Sequence, residues 1–210
     1  DIVEEFGADS FRVYEMFMGP FDQTAPWSME SIRGCSKFLD RVWSLQDVLS
    51  EGTEYSKEYE SMMHKAIKKV TNDIEEMKFN TAVSTFMTML NEFTKSKKIN
   101  RAEYKTFLQL LNPFAPHMTE EIWNQIGEEK EISQTPWPIY DEAKTIDDEI
   151  EIPVQINGKV KATVVVPKDA DESIVEKATT ENEAVSKLLE GKNIVKKIYV
   201  KGKIYNIVVK

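Results

Sequence analysis

The spacing of apolar residues changes once along this chain, and that change limits what it can fold into. Up to about residue 126, apolar side chains recur every three or four positions. Ile32, Cys35, Leu39, Val42 and Leu49 form one such series, flanked by Phe38 and Trp43. Tyr59, Met63, Ala66/Ile67, Val70, Ile74 and Met77 form a second; Val83, Phe86, Leu90 and Phe93 a third; Tyr104, Phe107/Leu108 and Leu111 a fourth; Met118, Ile122, Trp123 and Ile126 a fifth. This period predicts amphipathic helices. Ser28 and Asn80 are candidate N-caps, while Pro113 and Gly127 are candidate stops. Five such segments joined by short loops predict a mainly α helical bundle over 27–126. Residues 1–26, broken by Gly7 and by M-G-P-F-D-Q-T-A-P, carry no clear period and read as a connection.

From Glu151 the period falls to two. Ile152, Val154 and Ile156 alternate with polar residues, Asn157-Gly158 is a type I′ hairpin signal, and Val160, Ala162, Val164 and Val166 return. A capped helix is expected over roughly 172–190, with Ile174, Ala178, Val185, Leu188 and Leu189 inward and Gly191 ending it. A second hairpin follows, turning near Lys201-Gly202. Residues 151–210 thus predict a small α+β domain of order strand-strand-helix-strand-strand. Between the two regions, residues 127–150 hold eight carboxylates, two lysines and a T-P-W-P stretch, and read as an acidic linker.

Charge placement says more than the net charge of −9. Residues 1–150 carry 16 basic and 28 acidic side chains, whereas 151–210 carry 11 and 8, and residues 192–210 hold six lysines and no acid. A basic end on an acidic chain suits a polyanion such as nucleic acid. The candidates for phosphate contact are Lys196, Lys197, Lys201 and Lys203, crowding the second hairpin turn, then Lys159 and Lys161 flanking the first. On the helices, Arg33, Lys37 and Arg41 fall at i, i+4 and i+8, and Lys65, Lys68 and Lys69 lie beside His64 within two turns. The ordinary alternatives are pairing with neighbouring acids and protection of sheet edges.

Catalytic readings find little to hold. P-F-A-P-H-M-T-E-E-I-W at 113–123 places His117 one turn before Glu120 and Glu121, close to an inverted zinc motif. Zinc needs at least three protein ligands; the only other histidine is His64 and there is no second cysteine, which leaves a carboxylate-rich site as the one form available. The other reading is a helix start, with Pro116 in its first turn and the carboxylates at the positive end of its dipole. No phosphate-binding glycine loop, nucleophile elbow or Cys-His pair is present. The single cysteine excludes an internal disulfide framework and fits a reducing cytoplasm. No apolar run reaches membrane-span length, so no membrane contact is expected. The opening D-I-V-E-E has no signal-like character and reads as the continuation of a longer chain.

Several stretches together resemble the leucyl-tRNA synthetases of bacterial type, a class I family. They are G-A-D-S-F-R-V-Y-E-M-F-M-G-P at 7–20, P-W-S-M-E at 26–30, K-F-L-D-R-V-W at 37–43, K-F-N-T-A-V at 78–83, L-N-P-F-A-P-H-M-T-E-E-I-W at 111–123, W-P at 137–138 and V-Q-I-N-G-K-V-K at 154–161. Lys161 stands where that family usually has arginine, offering a point charge in place of a planar fork. The H-I-G-H and K-M-S-K-S signatures are missing. The resemblance implies a part without the catalytic and editing domains: the end of the core connection, an anticodon-binding-type bundle and a small C-terminal tRNA-binding domain. It implies that ATP and Mg serve the catalytic domain elsewhere, with no cofactor or metal in this stretch. The partners it implies are leucine tRNA and the catalytic and editing domains of the same chain, in a cytoplasmic monomer. His117 becomes a helix-start residue on this reading. The rivals are a protein-docking module and the equivalent part of a valyl-, isoleucyl- or methionyl-type synthetase.

Overall fold

A computed structural model of the chain describes residues 1–20, 22–145 and 149–210. Phe21, within the expected connection, and Ile146–Asp148, within the expected linker, lie outside the described residues. The chain divides into two compact units, 1–145 and 146–210, each with its own apolar core. A mainly helical bundle and a small α+β unit are what the two hydrophobic periods predict.

The first unit holds α1 (Ile2–Phe6), α2 (Ala8–Phe17), α3 (Met29–Ser44), α4 (Glu60–Glu75), α5 (Phe79–Ser96), α6 (Arg101–Leu111) and α7 (Pro116–Gln125). Two-residue strands β1 (Leu49–Ser50) and β2 (Ile99–Asn100) pair in parallel beside them. Ser28 caps α3 by accepting from the Ser31 amide at 3.2 Å. Pro116 occupies the first turn of α7, where no amide partner is needed, and Gly127 ends that helix at φ 86°. The core is ringed by aromatics: Phe86, Phe93, Phe107 and Phe114 are buried and meet edge to face.

The structure departs from expectation at several points. Residues 1–26 contain two helices; Val13 and Tyr14 of α2 are buried in the bundle core. Gly7 and the 18–27 segment masked a period too short to recognise. Asn80 does not cap α5; the cap position is Lys78, two residues earlier. Met77 takes φ 56° just beyond α4 and is 55% exposed, so the apolar stripe stops at Ile74. The cap that sequence spacing could have revealed is Asn100 with Glu103. Asn100 accepts from the Glu103 amide and Glu103 accepts from the Asn100 amide, a reciprocal capping box. Glu103 also accepts from the amide and hydroxyl of Ser56, tying α6 to the turn before α4.

The acidic segment after α7, expected as a linker, runs along the bundle as a strap as far as Thr145. Ile132 is buried, Gln109 donates to Thr135, and the Trp137 indole donates to the Thr71 hydroxyl at 2.9 Å. Lys68 pairs with Glu142 and Lys144 with Glu60. The Asp141 amide donates to Nδ1 of buried His64 at 3.0 Å. The carboxylates that made the segment look solvated are partly neutralised by lysines of the surface they cross.

The second unit is a four-stranded sheet of order β4-β3-β6-β5 under two helices. Its strands are β3 (Glu149–Ile156), β4 (Lys159–Pro167), β5 (Ile194–Val200) and β6 (Ile204–Val209). Both hairpins are antiparallel, and β3 joins β6 in parallel with Val154 opposite Tyr205. Asn157 and Gly158 both take positive φ, as a type I′ turn requires. The expected helix over 172–190 is divided into α8 (Glu172–Glu181) and α9 (Glu183–Leu189). Asn182 divides it because its side chain accepts from the Ala184 and Val185 amides, capping a new helix. The break turns Val185 inward, while Ile174 and Leu188, expected inside, are exposed.

Two predictions concern the first unit. Asp9 is buried and accepts from the Met118 amide at 2.7 Å, capping α7 from another helix. Asp9→Ala should lower stability by about 1–2 kcal/mol in urea unfolding, the usual cost of a lost N-cap; an unchanged midpoint would mean that α7 needs no such partner. Burial, aided by the nearby Lys144 charge and opposed by Glu60 and Asp141, holds the His64 pKa below its ordinary value of 6.5. The unfolded chain therefore takes up the proton first on acidification. Stability is full above about pH 6.5 and falls as pH drops below it. His64→Ala should remove this component from the pH dependence of unfolding, and a pH profile identical in both proteins would refute it.

Candidate nucleic-acid interface

The His117 cluster is structural in its contacts. His117 Nδ1 lies 2.8 Å from Asp9, Glu120 accepts from the Ile132 and Ser133 amides, and Glu121 accepts from Gln125. Asp9 and Glu120 join separate segments, while Glu121 serves within α7 itself. Among the described residues no group of three or more His, Cys, Asp or Glu side chains could hold a metal ion. Cys35 is buried and its thiol is pushed up to about 11 by burial, which removes it as a nucleophile at neutral pH.

The basic candidates sort by whether an acid already holds them. On α3, Arg33 faces Glu5 at 3.8 Å and lies over the Phe6 ring, Arg41 donates to Asn91 and Thr94, and exposed Lys37 has no ion pair among the described residues. On α4, Lys69 pairs with Asp73 at 2.7 Å and Lys68 with Glu142 at 2.5 Å, while Lys65 is half-buried beside them. In the second unit Lys197 points to the helix-covered face and pairs with Glu176 on α8. Lys159, Lys161, Lys196, Lys201 and Lys203 are exposed and make no ion pair among the described residues. Lys201 is near enough to Asp171 to help keep its carboxyl low, behind the larger effects of the Ser173 hydroxyl and the Ile174 amide.

Strand register divides the second-unit lysines between opposite ends of the sheet, so Lys196 and Lys197 do not crowd the turn holding Lys201 and Lys203. Because β3 and β6 are parallel, the Asn157-Gly158 turn adjoins the end of β6, whereas the Lys201–Lys203 turn adjoins its start. Asn157 bonds Val209 in both directions, and Asn193 exchanges backbone bonds with Lys210. Lys159, Lys196 and the exposed Lys192 and Lys210 therefore share one end, and Lys201 and Lys203 occupy the other. Lys192 and Lys210 belong to the acid-free tail, but only topology shows which end they join.

The helices cover one sheet face, burying Ile152, Val154, Tyr205 and Ile207. The open face presents Val160, Val165, Ile198 and Val200 as exposed apolar side chains, with Lys196 opposite Val208 at its margin. Strict alternation hides this face. The sequence signal for it is the apolar residue at both parities, as in Val164-Val165-Val166 and Ile194-Val195. In the first unit a cavity of about 780 Å³ lies between α6 and the strap. The cations on its wall are engaged: Arg101 and Lys105 pair with Glu128, and Lys144 with Glu60. These salt bridges and the flanking hydrogen bonds pull Glu128 below its ordinary range against the desolvation that raises it.

Comparison with known proteins gives this geometry a context. Residues 56–176 match the family described as the anticodon-binding domain of tRNA ligase. Over its whole length the chain is 53% identical to a leucine–tRNA ligase of Alkaliphilus oremlandii, and 44% and 43% identical to those of Chlorobaculum parvum and Chlorobaculum tepidum. It spans about a quarter of the length of these relatives, 26–27%. Among solved structures, a LeuRS–tRNA–LeuAMS ternary complex from Agrobacterium radiobacter superposes over the entire chain at a TM-score of 0.68 and 28% identity, with 29% of that larger chain covered. A family match that runs from the turn before α4 through the strap, β3 and β4 into α8, more than half of the chain, leaves one assignment: the chain belongs to the tRNA ligase anticodon-binding family.

Proposed function

We propose that this chain binds leucine tRNA and positions it for ATP-dependent aminoacylation by a catalytic domain of the same protein. The observation that carries this reading is the end-to-end likeness to a LeuRS chain solved with tRNA. The fold fits the task. The described residues offer no nucleophile, metal cluster or activated acid, but they do offer exposed cations at both ends of a sheet. Lysines without an acidic partner can meet a phosphate with no ion pair to break first, so Lys159, Lys161, Lys196, Lys201, Lys203 and Lys37 lead the candidates. Lys197, Lys69, Arg33 and Arg41 come second because each must leave a partner. Phosphate contacts set register without reading bases, and selectivity then follows from the shape of the folded RNA. Fixing a distant part of the tRNA helps hold the acceptor end in a reactive geometry. ATP and Mg belong to the catalytic domain on this reading, and the working form is a cytoplasmic monomer.

A second role is favoured by Val3 and Trp27, large apolar side chains that remain 50% and 47% exposed. We infer that these side chains dock against other domains of the same protein. The two roles are compatible, since positioning requires a rigid attachment.

The test is a salt titration of binding to leucine tRNA and to an unrelated tRNA. It would use the full chain, a Lys159/Lys192/Lys196/Lys210→Ala variant and a Lys201/Lys203→Ala variant. If each lysine meets one phosphate, the slope of log K against log salt should shrink by roughly 3 in the first variant and roughly 1.5 in the second. Circular dichroism should be unchanged in both. Unaltered affinity and slope in two folded variants would overturn the assignment of the interface to these lysines. Equal, weak binding of both tRNAs by the parent chain would favour docking as its main role.

A further inference from the structure

Lys65, Lys68, Lys69 and Asn72 of α4 line a cavity of about 440 Å³ together with the carboxylates Asp73 and Glu76 and with Thr145 of the strap. The strap engages one lysine of this lining, Lys68. Glu142 Oε1 lies 2.5 Å from Lys68 Nζ, and the Tyr140 ring centroid lies 5.8 Å from the same ammonium. Lys144, two residues further on, is held by Glu60 at 2.7 Å. An ammonium bonds a carboxylate and a phosphodiester alike, through charge-assisted contacts to an anionic oxygen. Glu142 therefore sits at Lys68 as a phosphate oxygen would.

We propose that the strap is an intramolecular phosphate mimic that masks the basic groove of α4, and that an RNA backbone binding this groove displaces Glu142 from Lys68. The proposal deepens the tRNA-binding reading and rests on it for the identity of the natural ligand. Two features suit the exchange. The Lys68–Glu142 pair is well exposed, 37% and 63%, so water and salt screen it and its loss costs little. The strap also keeps its other anchors, Trp137 on Thr71 and the Asp141 amide on His64, so lifting Glu142 opens the turn over Glu142–Thr145 without unravelling the segment before it. Masking also has a use. A stray polyanion must compete with a tethered carboxylate among the strap's many acids, whereas a correctly docked RNA brings further contacts of its own and wins.

The experiment follows amide hydrogen exchange in the full chain. Ala143 donates to the Asp141 carboxylate and Lys144 to the Asp141 carbonyl, so their amides report on the strap around Glu142. The Met118 amide, held by Asp9 on α7, is the control. Short-chain inorganic polyphosphate and leucine tRNA are the probes. Each should speed exchange at Ala143 and Lys144 several-fold and leave Met118 unchanged. Glu142→Gln should tighten binding of both probes by about two- to fivefold, the range expected for removing an exposed ion-pair competitor. Glu92→Gln on α5, an equal change in net charge, should have less effect, and in a Lys68→Ala background the Glu142→Gln gain should vanish. Polyphosphate that fails to bind, or that binds with Ala143 and Lys144 exchange unchanged, overturns the masking. So does a Glu142→Gln effect equal to that of Glu92→Gln. If tRNA binds while the strap amides stay protected, the RNA reading stands and the masking falls. If polyphosphate frees the strap while tRNA does not bind, masking is supported and the RNA reading fails.

Discussion

The first unit depends on a chain of edge-to-face aromatic contacts. Tyr59, just before α4, meets Phe93 of α5, which meets Phe107 of α6; Phe107 meets Phe86, Phe86 meets Phe114, and Phe114 meets Phe79 at the start of α5. Each contact adds about 0.5–1.5 kcal/mol beyond the area it buries. Their larger effect is geometric. Ring edges against ring faces permit few relative rotations, so α4, α5, α6 and the turn before α7 are fixed to one another. Every polar feature on the surface of this unit inherits its position from that arrangement.

Polar clasps then close the unit at sites the rings do not reach. Asp9 binds the start of α7 from α2, Glu103 joins α6 to the turn before α4, and His64 receives the strap. All three are buried acceptors for backbone amides of another segment. An amide left without such a partner costs more than the bond itself contributes, so these clasps specify which segments meet more than they add net stability. The two units differ in how they treat charge. In the first, cations of α4 and α6 are engaged by acids, among them Glu128 and Glu142 of the strap. In the second, only Lys197 and Glu176 pair across elements among the described residues, and the remaining lysines face solvent.

What could be read from sequence followed the range of the interactions involved. Helices α3 to α7 and both hairpins rest on local periodicity, and Asn157-Gly158 fixed a turn by backbone preference alone. Helices α1 and α2 were missed because seventeen residues containing Gly7 show too few repeats of any period. The Asn182 break was missed because asparagine in a helical stretch is ambiguous until its side chain chooses an amide. The strap was misread for a different reason: its carboxylates are compensated by Lys68 and by lysines such as Lys105, far away in sequence. The candidate site shows the same limit. Exposed lysines could be named, but pairing of Lys197 with Glu176 and the separation of Lys196 from Lys201 follow from strand order, which requires knowing that β3 and β6 are parallel neighbours.

That strand order also governs when the second unit can form. The interior strand β6 leaves the ribosome after β3, β4, both helices and β5, yet it alone joins the two hairpins. Until Ile204–Val209 arrive, β3 has no partner on its second edge, and the apolar residues beneath α8 and α9 have only half a sheet to cover. Assembly of this unit thus waits for its last strand, with a contact spanning some fifty residues that no earlier local structure can replace.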